Sequence, residues 1–96
     1  MEFEWDEAKA SANIEKHGVA FEDAKSIFEG FIASSPDVRR DYGEQRTITT
    51  GTIHGLIIVV VVHTERSGKR RIISARRGNR DEREAFKAAL LAGINS

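Results

Sequence analysis

The chain has no cysteine, which excludes a disulfide framework and a thiolate metal site alike. It also has no His-x-x-x-His pair, no carboxylate cluster near His63 beyond Glu65, no glycine-rich phosphate loop and no nucleophile elbow. These absences point away from metal and cofactor chemistry. The longest apolar run, Leu56 to Val62, is seven residues, against the roughly 20 that a membrane-spanning helix requires. With no leader-like segment either, the expectation is a soluble cytoplasmic protein with no membrane partner. Net charge is zero, but unevenly distributed. Residues 1–45 hold eleven Asp/Glu against five Lys/Arg, whereas residues 66–96 hold nine Lys/Arg against three Asp/Glu. A basic C-terminal third suits a polyanion, and the acidic part suits a solvated face or a basic partner.

Ninety-six residues make one domain, 1–96, with a modest core. Its organising stretch is residues 56–77. The run Leu56-Ile-Ile-Val-Val-Val-Val62 reads as a strand buried on both faces, because β-branched side chains fit a pleated surface and lose freedom in a helix. Ser67-Gly68 supplies turn chemistry, and Arg71 to Arg76 returns as the partner strand.

Around this hairpin the chain reads as a short edge strand over residues 1–5, then a helix from Glu7 to His17 capped by Asp6. Ala10, Ile14 and His17 fall on one face of that helix, and Lys16-His17-Gly18 ends it. A second helix runs from about Phe21 to Glu29, with Phe21, Ala24, Ile27 and Phe28 at helical spacing. Phe31 to Val38, around Ser34-Ser35-Pro36, suits an edge strand or an irregular crossing, residues 37–45 an exposed charged loop, and residues 46–53 a strand with a two-residue His54-Gly55 turn. Asn79 and Glu82 spell a capping box opening a helix to about Ala92, with Phe86, Ala89 and Leu90 inward. The fold class is α+β, a small antiparallel sheet packed against helices.

The polar end of the hairpin is the candidate site. His63 is the histidine placed for proton exchange near neutral pH, whereas His17 suits a helix end and His54 a turn. Nine cations lie between residues 66 and 87, and arginine's planar fork matches phosphate oxygens and stacks on unpaired bases. Two registers are open. A two-residue turn pairs His63 with Ile72 and puts Ser74 and Arg76 on the histidine's face. Adding Lys69 to the loop pairs Thr64 with Ile72, gathers Thr64, Arg66, Ser74 and Arg76 on one face, and sets Glu65 against Arg71. Either gives a basic, hydroxyl-bearing patch.

Phe3-Glu4-Trp5-Asp6, Lys16-His17-Gly18-Val19 with Phe21-Glu22-Asp23-Ala24, Val62-His63-Thr64-Glu65-Arg66 and Arg71-Ile72-Ile73-Ser74-Ala75-Arg76 together resemble the BrnT family. These are toxins of bacterial type II toxin–antitoxin pairs. The resemblance covers nearly the whole chain and implies a RelE-like toxin fold, metal-independent RNA cleavage that arrests growth, and neutralisation by a BrnA-like DNA-binding antitoxin in a hetero-oligomer. The family's threonine-x-arginine and serine-x-arginine pattern maps onto Thr64, Arg66, Ser74 and Arg76. The chain departs from it at His63, where relatives are often aromatic. The site expected from residues and resemblance comprises His63, Arg66, Ser74 and Arg76 as catalytic groups, with Thr64, Glu65, Arg71 and Arg77 binding RNA. Arg66, Arg71 and Arg76 would hold the phosphate, His63 or Glu65 would move the proton, and Ser74 or Thr64 would orient the ribose. A contrasting reading is a catalytically inactive module that holds RNA or an acidic protein segment on the same hairpin.

Overall fold

The computed structural model describes residues 1–95. The chain runs β1 (Glu2–Glu4), α1 (Glu7–His17), α2 (Phe21–Ala24), a 3₁₀ segment (Lys25–Glu29), β2 (Ala33–Pro36), β3 (Thr47–Ile53), β4 (Ile57–Arg66), β5 (Lys69–Arg77) and α3 (Arg80–Asn95). The five strands form one sheet in the order β1-β5-β4-β3-β2. Hairpins make β2 through β5 antiparallel, but β1 lies parallel to β5, so the sheet is mixed rather than purely antiparallel. The parallel register sets Glu2 beside Lys69 and Glu4 beside Arg71, matching the acidic alternation of β1 to the basic start of β5. The contacts are loose, at 3.6 and 3.8 Å.

α1 is bounded as its sequence dictates. Asp6 accepts from the Lys9 amide at 3.0 Å, and Gly18 closes the helix in the left-handed region at φ 70°. The buried face, however, is Ala10 and Asn13, while Ile14 is 50 % exposed. A buried amide displaces the expected isoleucine because it is fully paired. Asn13 Nδ2 donates to the carbonyls of Val19 (2.8 Å) and Ala75 (2.7 Å), and its Oδ1 accepts from the Ala75 amide at 3.1 Å. The expected second helix is α-helical only through Ala24 and then tightens to 3₁₀. That tight segment presses on β3 closely enough that a Cβ on Gly51 would stand 2.7 Å from Ile27 Cβ. The turn after β3 has three residues rather than two, since Ile53 pairs with Ile57.

Ala10, Val19, Phe21, Ala24 and Ile27 from the helical layer close over Ile53, Val59, Val61, Ile72 and Ala75 of the sheet. Val60 and Val62 alternate to the other side and are buried there too, so the valine run is covered on both faces as expected. On that second side α3 begins at the Asn79–Glu82 capping box. Glu82 N donates to Asn79 Oδ1 at 2.9 Å, and Asn79 N donates to Glu82 Oε1 at 2.8 Å. Phe86 is buried, with its ring 5.7 Å from that of Phe31.

Candidate active site

The β4–β5 hairpin decides which groups meet. Ser67 and Gly68 both take positive φ, 52° and 77°, as a tight two-residue hairpin turn requires. The ladder then runs from Arg66↔Lys69 through Glu65↔Arg70 and Thr64↔Arg71 to His63↔Ile72. Between His63 and Val62 the register shifts by one residue, leaving Ile73 as the bulge, and pairing resumes at Val62↔Ser74 and Val60↔Arg76. Because strand side chains alternate, one extra residue exchanges the faces of everything beyond it.

Each sequence-based register is therefore half right. The turn has two residues and His63 does face Ile72, but Ser74 and Arg76 leave the histidine's face and join Thr64 and Arg66. Arg71 joins them as well, and Glu65 stands opposite Arg70 rather than Arg71. The helix-covered face keeps Val59, Val61, His63, Ile72 and Ala75. The opposite face, open beyond the start of α3, carries Thr64, Arg66, Arg71, Ser74 and Arg76.

On this open face every one of the arginines is already paired. Arg76 grips Glu82 with both terminal nitrogens at 2.7 Å. That bond pulls the Glu82 carboxyl down to about 2, against the opposing effect of burial. Arg66 donates twice to Glu44 Oε1 (2.8 and 3.1 Å), and Arg46 holds the other oxygen at 3.3 Å, so Glu44 is held below the usual carboxylate range. Arg71 reaches Glu4 only loosely. Thr64 is buried and donates its hydroxyl to the Gln45 carbonyl at 2.6 Å. Ser74 is half-buried and makes no hydrogen bond among the described residues.

Residues 37–45, expected as an exposed loop, and Arg46, expected at the start of the next strand, contribute the groups that sequence reasoning missed. The segment folds back on itself through Asp37 N and the Arg46 carbonyl, 2.8 Å apart. Asp37 is buried and holds the Arg39 fork at 2.8 Å on both oxygens, and this keeps its carboxyl strongly acidic. Arg39 stands close enough to Arg76 for the two charges to oppose each other. Arg46 lies over the Tyr42 ring at 4.0 Å and Arg40 flanks it at 5.5 Å. The available signal was arginines interleaved with one tyrosine between two strands.

His63 sits elsewhere. It is 8 % exposed, its Nε2 is 2.7 Å from Thr49 Oγ1, and Phe28 meets the ring edge-on at 5.1 Å. Burial, then the charge of Arg70, pushes its pKa down to about 4. The imidazole is neutral at physiological pH and on the wrong side of the sheet from Ser74 and Arg76. Glu65 is exposed on His63's side, and Arg77 lies beside Gly18, Asp23 and Ile53 on that side too. The structure thus brings together Thr64, Arg66, Arg71, Ser74 and Arg76, and separates His63, Glu65 and Arg77 from them. Among the described residues, no three His, Asp or Glu side chains converge to hold a metal ion, and no helix is long and apolar enough to cross a membrane.

Residues 5–82 match the family model described as the ribonuclease toxin, BrnT, of type II toxin–antitoxin systems. Among solved structures, the crystal structure of the Brucella abortus ribonuclease toxin, BrnT, is similar, with a TM-score of 0.65 and 28 % identity. The match covers 83 % of this chain and 99 % of that one. No curated protein matches.

Proposed function

The chain belongs to the BrnT family of ribonuclease toxins of type II toxin–antitoxin systems, and from that premise we propose that it cuts RNA on the open face of its sheet without a metal ion. The observation that carries this reading is the bulge at Ile73, which puts Ser74 and Arg76 on the same face of the hairpin as Arg66 and Arg71. Arginine forks on non-bridging phosphate oxygens stabilise charge that grows in the transition state. Ser74 orients the ribose. When the phosphate takes the fork of Arg76, Glu82 is released and its basicity rises toward the ordinary carboxylate value. It then accepts the 2′-hydroxyl proton as the 2′ oxygen attacks phosphorus. The P–O5′ bond breaks, and the leaving oxygen takes a proton from water. A carboxylate is a weak base at neutral pH, so this is a slow enzyme, which a growth-arresting toxin tolerates.

A sheet covered by α1 and α2 on one side, with Arg66, Arg71 and Arg76 beyond the start of α3 on the other, supports the relation to RelE-type toxins. We further assign it a BrnA-like DNA-binding antitoxin, a hetero-oligomer with that partner, and action on cytoplasmic RNA. The pairing of each open-face arginine with a carboxylate also favours a second reading, a module that binds RNA or a protein and never cuts. Incubating RNA with the purified protein in EDTA separates the two. The proposal expects new ends bearing 2′,3′-cyclic phosphate and 5′-hydroxyl. Activity lost to EDTA and restored by a divalent ion would remove the metal-free mechanism, and intact RNA in both conditions would favour the binding module.

A further inference from the structure

Arg70 differs from its neighbours in the hairpin. Arg66, Arg71 and Arg76 have carboxylate partners, whereas Arg70 makes no hydrogen bond or ion pair among the described residues. Its guanidinium is nonetheless fixed, lying 4.0 Å over the Phe28 ring and 5.7 Å from that of Phe3. Stacking holds the plane and leaves the N–H edge available, so little freedom is lost when an anion docks. The group stands at the junction of two clefts on the helix side of the sheet. One, of about 540 Å³, is hydroxyl-lined, with Ser34, Thr47, Thr64 and neutral His63. The other, of about 420 Å³, is bordered by Phe3, Phe28 and Met1. Glu44 and Glu65 beside the first cleft and Glu29 beside the second disfavour a second anion.

We infer that Arg70 is the centre of a second subsite, which takes one phosphate of a single-stranded RNA with the adjoining base against the Phe3–Phe28 side. An arginine beside aromatic rings with polar groups around it is the chemistry by which proteins hold an unpaired nucleotide. The subsite adjoins the open face, because Thr64 and Glu44 border the larger cleft while Glu44 pairs with Arg66 across the rim. This assignment rests on RNA being the substrate, and it places a flanking nucleotide around the strand end from the cut.

Two measurements test it on the full chain. First, inorganic phosphate is titrated while the Arg70 Nε and His63 ring signals are followed by NMR, and both are expected to shift together. Second, binding of an uncleavable 2′-deoxy oligonucleotide is measured across salt concentrations. Arg70→Gln is expected to weaken it roughly ten-fold and to reduce the salt slope by about 1. Arg70→Lys, which keeps the charge, should restore the slope and guards against a folding defect. If phosphate leaves Arg70 unshifted and the slope of Arg70→Gln is unchanged, the subsite is overturned. An unchanged slope with weakened antitoxin capture also overturns it and assigns Arg70 to the protein partner. If the wild type neither binds nor cuts RNA while phosphate still shifts Arg70, the ribonuclease reading fails and the anion site stands.

Discussion

Replacing Asn13 by aspartate keeps the side-chain shape and inverts half of its hydrogen bonding. In the native chain the Asn13 amide donates to the carbonyls of Val19 and Ala75 and accepts from the Ala75 amide, tying α1 and the connection after it to β5. An aspartate retains the bond from Ala75 N but sets an oxygen against two carbonyl oxygens. Protonated, it has one O–H and leaves a buried carbonyl unpaired, at about 1–3 kcal/mol. Ionised, it is a buried negative charge facing two dipoles of like sign, so its folded pKa rises above the unfolded value of about 3.9. A raised folded pKa means that the unfolded state loses its proton first. The penalty therefore grows with pH, by about 1.4 kcal/mol per unit until the folded pKa is reached. Urea unfolding can be followed through Trp5, whose ring packs edge-on against Phe21. The variant should lose about 1–3 kcal/mol near pH 4, where the folded carboxyl is protonated, and clearly more near pH 8. The wild type, measured in parallel, cancels the contribution of other groups. In thermal melts each kcal/mol should appear as a fall in Tm of about 4–8 °C. A loss below about 1 kcal/mol at both pH values, or one independent of pH, would refute the assignment of Asn13 as the bond between the helical layer and the strand. Because Ala75 lies between Ser74 and Arg76, the same variant should also lower RNA cleavage more than its folded fraction accounts for.

Arg76→Ala should remove most toxicity while the protein still folds with a lowered Tm, since Glu82 keeps its bond from Asn79 while the paired Arg76 fork and a phosphate contact of roughly 1.5–3 kcal/mol are lost; full growth arrest by this variant would take Arg76 out of the site. His63 has a folded pKa depressed to about 4, so its contribution to stability is complete above the unfolded value of about 6.5 and is lost as pH falls toward 4. His63→Phe should flatten the unfolding free energy across that window and leave RNA cleavage nearly unchanged at neutral pH; a variant whose activity falls a hundred-fold with its fold intact would restore the imidazole to the mechanism. Association with the antitoxin should slow as salt rises, because the open face carries Arg39, Arg46, Arg66, Arg71 and Arg76. Stopped-flow rates that stay flat with ionic strength would instead direct attention to apolar surface, such as Leu91 on α3 or Phe31, respectively 59 % and 41 % exposed.

Much of the frame was legible in residues 56–77. The valine run, the Ser67-Gly68 turn and the returning strand follow from β-branched packing and turn chemistry, which act over a few residues. Asp6, Gly18 and the Asn79–Glu82 box mark helix ends because caps are local hydrogen bonds. Asn13 was not legible as a core residue, since an asparagine is buried only where distant groups pair with it, and one of its partners lies 62 residues away. Residues 37–45 form the largely exposed loop that their charges suggested, but the burial of Asp37 under Arg39 was not legible.

The amino-acid sequence by itself determined an α+β fold without thiol chemistry, built on a valine-rich hairpin that carries arginines and hydroxyls at its polar end. It also determined the family, because short motifs in matching order persist along nearly the whole chain. The tertiary structure alone decided which of those groups share a face of the sheet. In Arg71-Ile72-Ile73-Ser74-Ala75-Arg76 nothing local says which isoleucine is the extra one, since either could occupy the ladder. That choice is made by Ile72 filling the core beside Val61 while Asn13 pins Ala75 across from it. With both positions held inward, Ile73 must bulge, and Ser74 and Arg76 turn to the opposite side from His63. The direction of β1 was settled in the same way, by long-range pairing of Glu2 and Glu4 with Lys69 and Arg71, which no local pattern encodes.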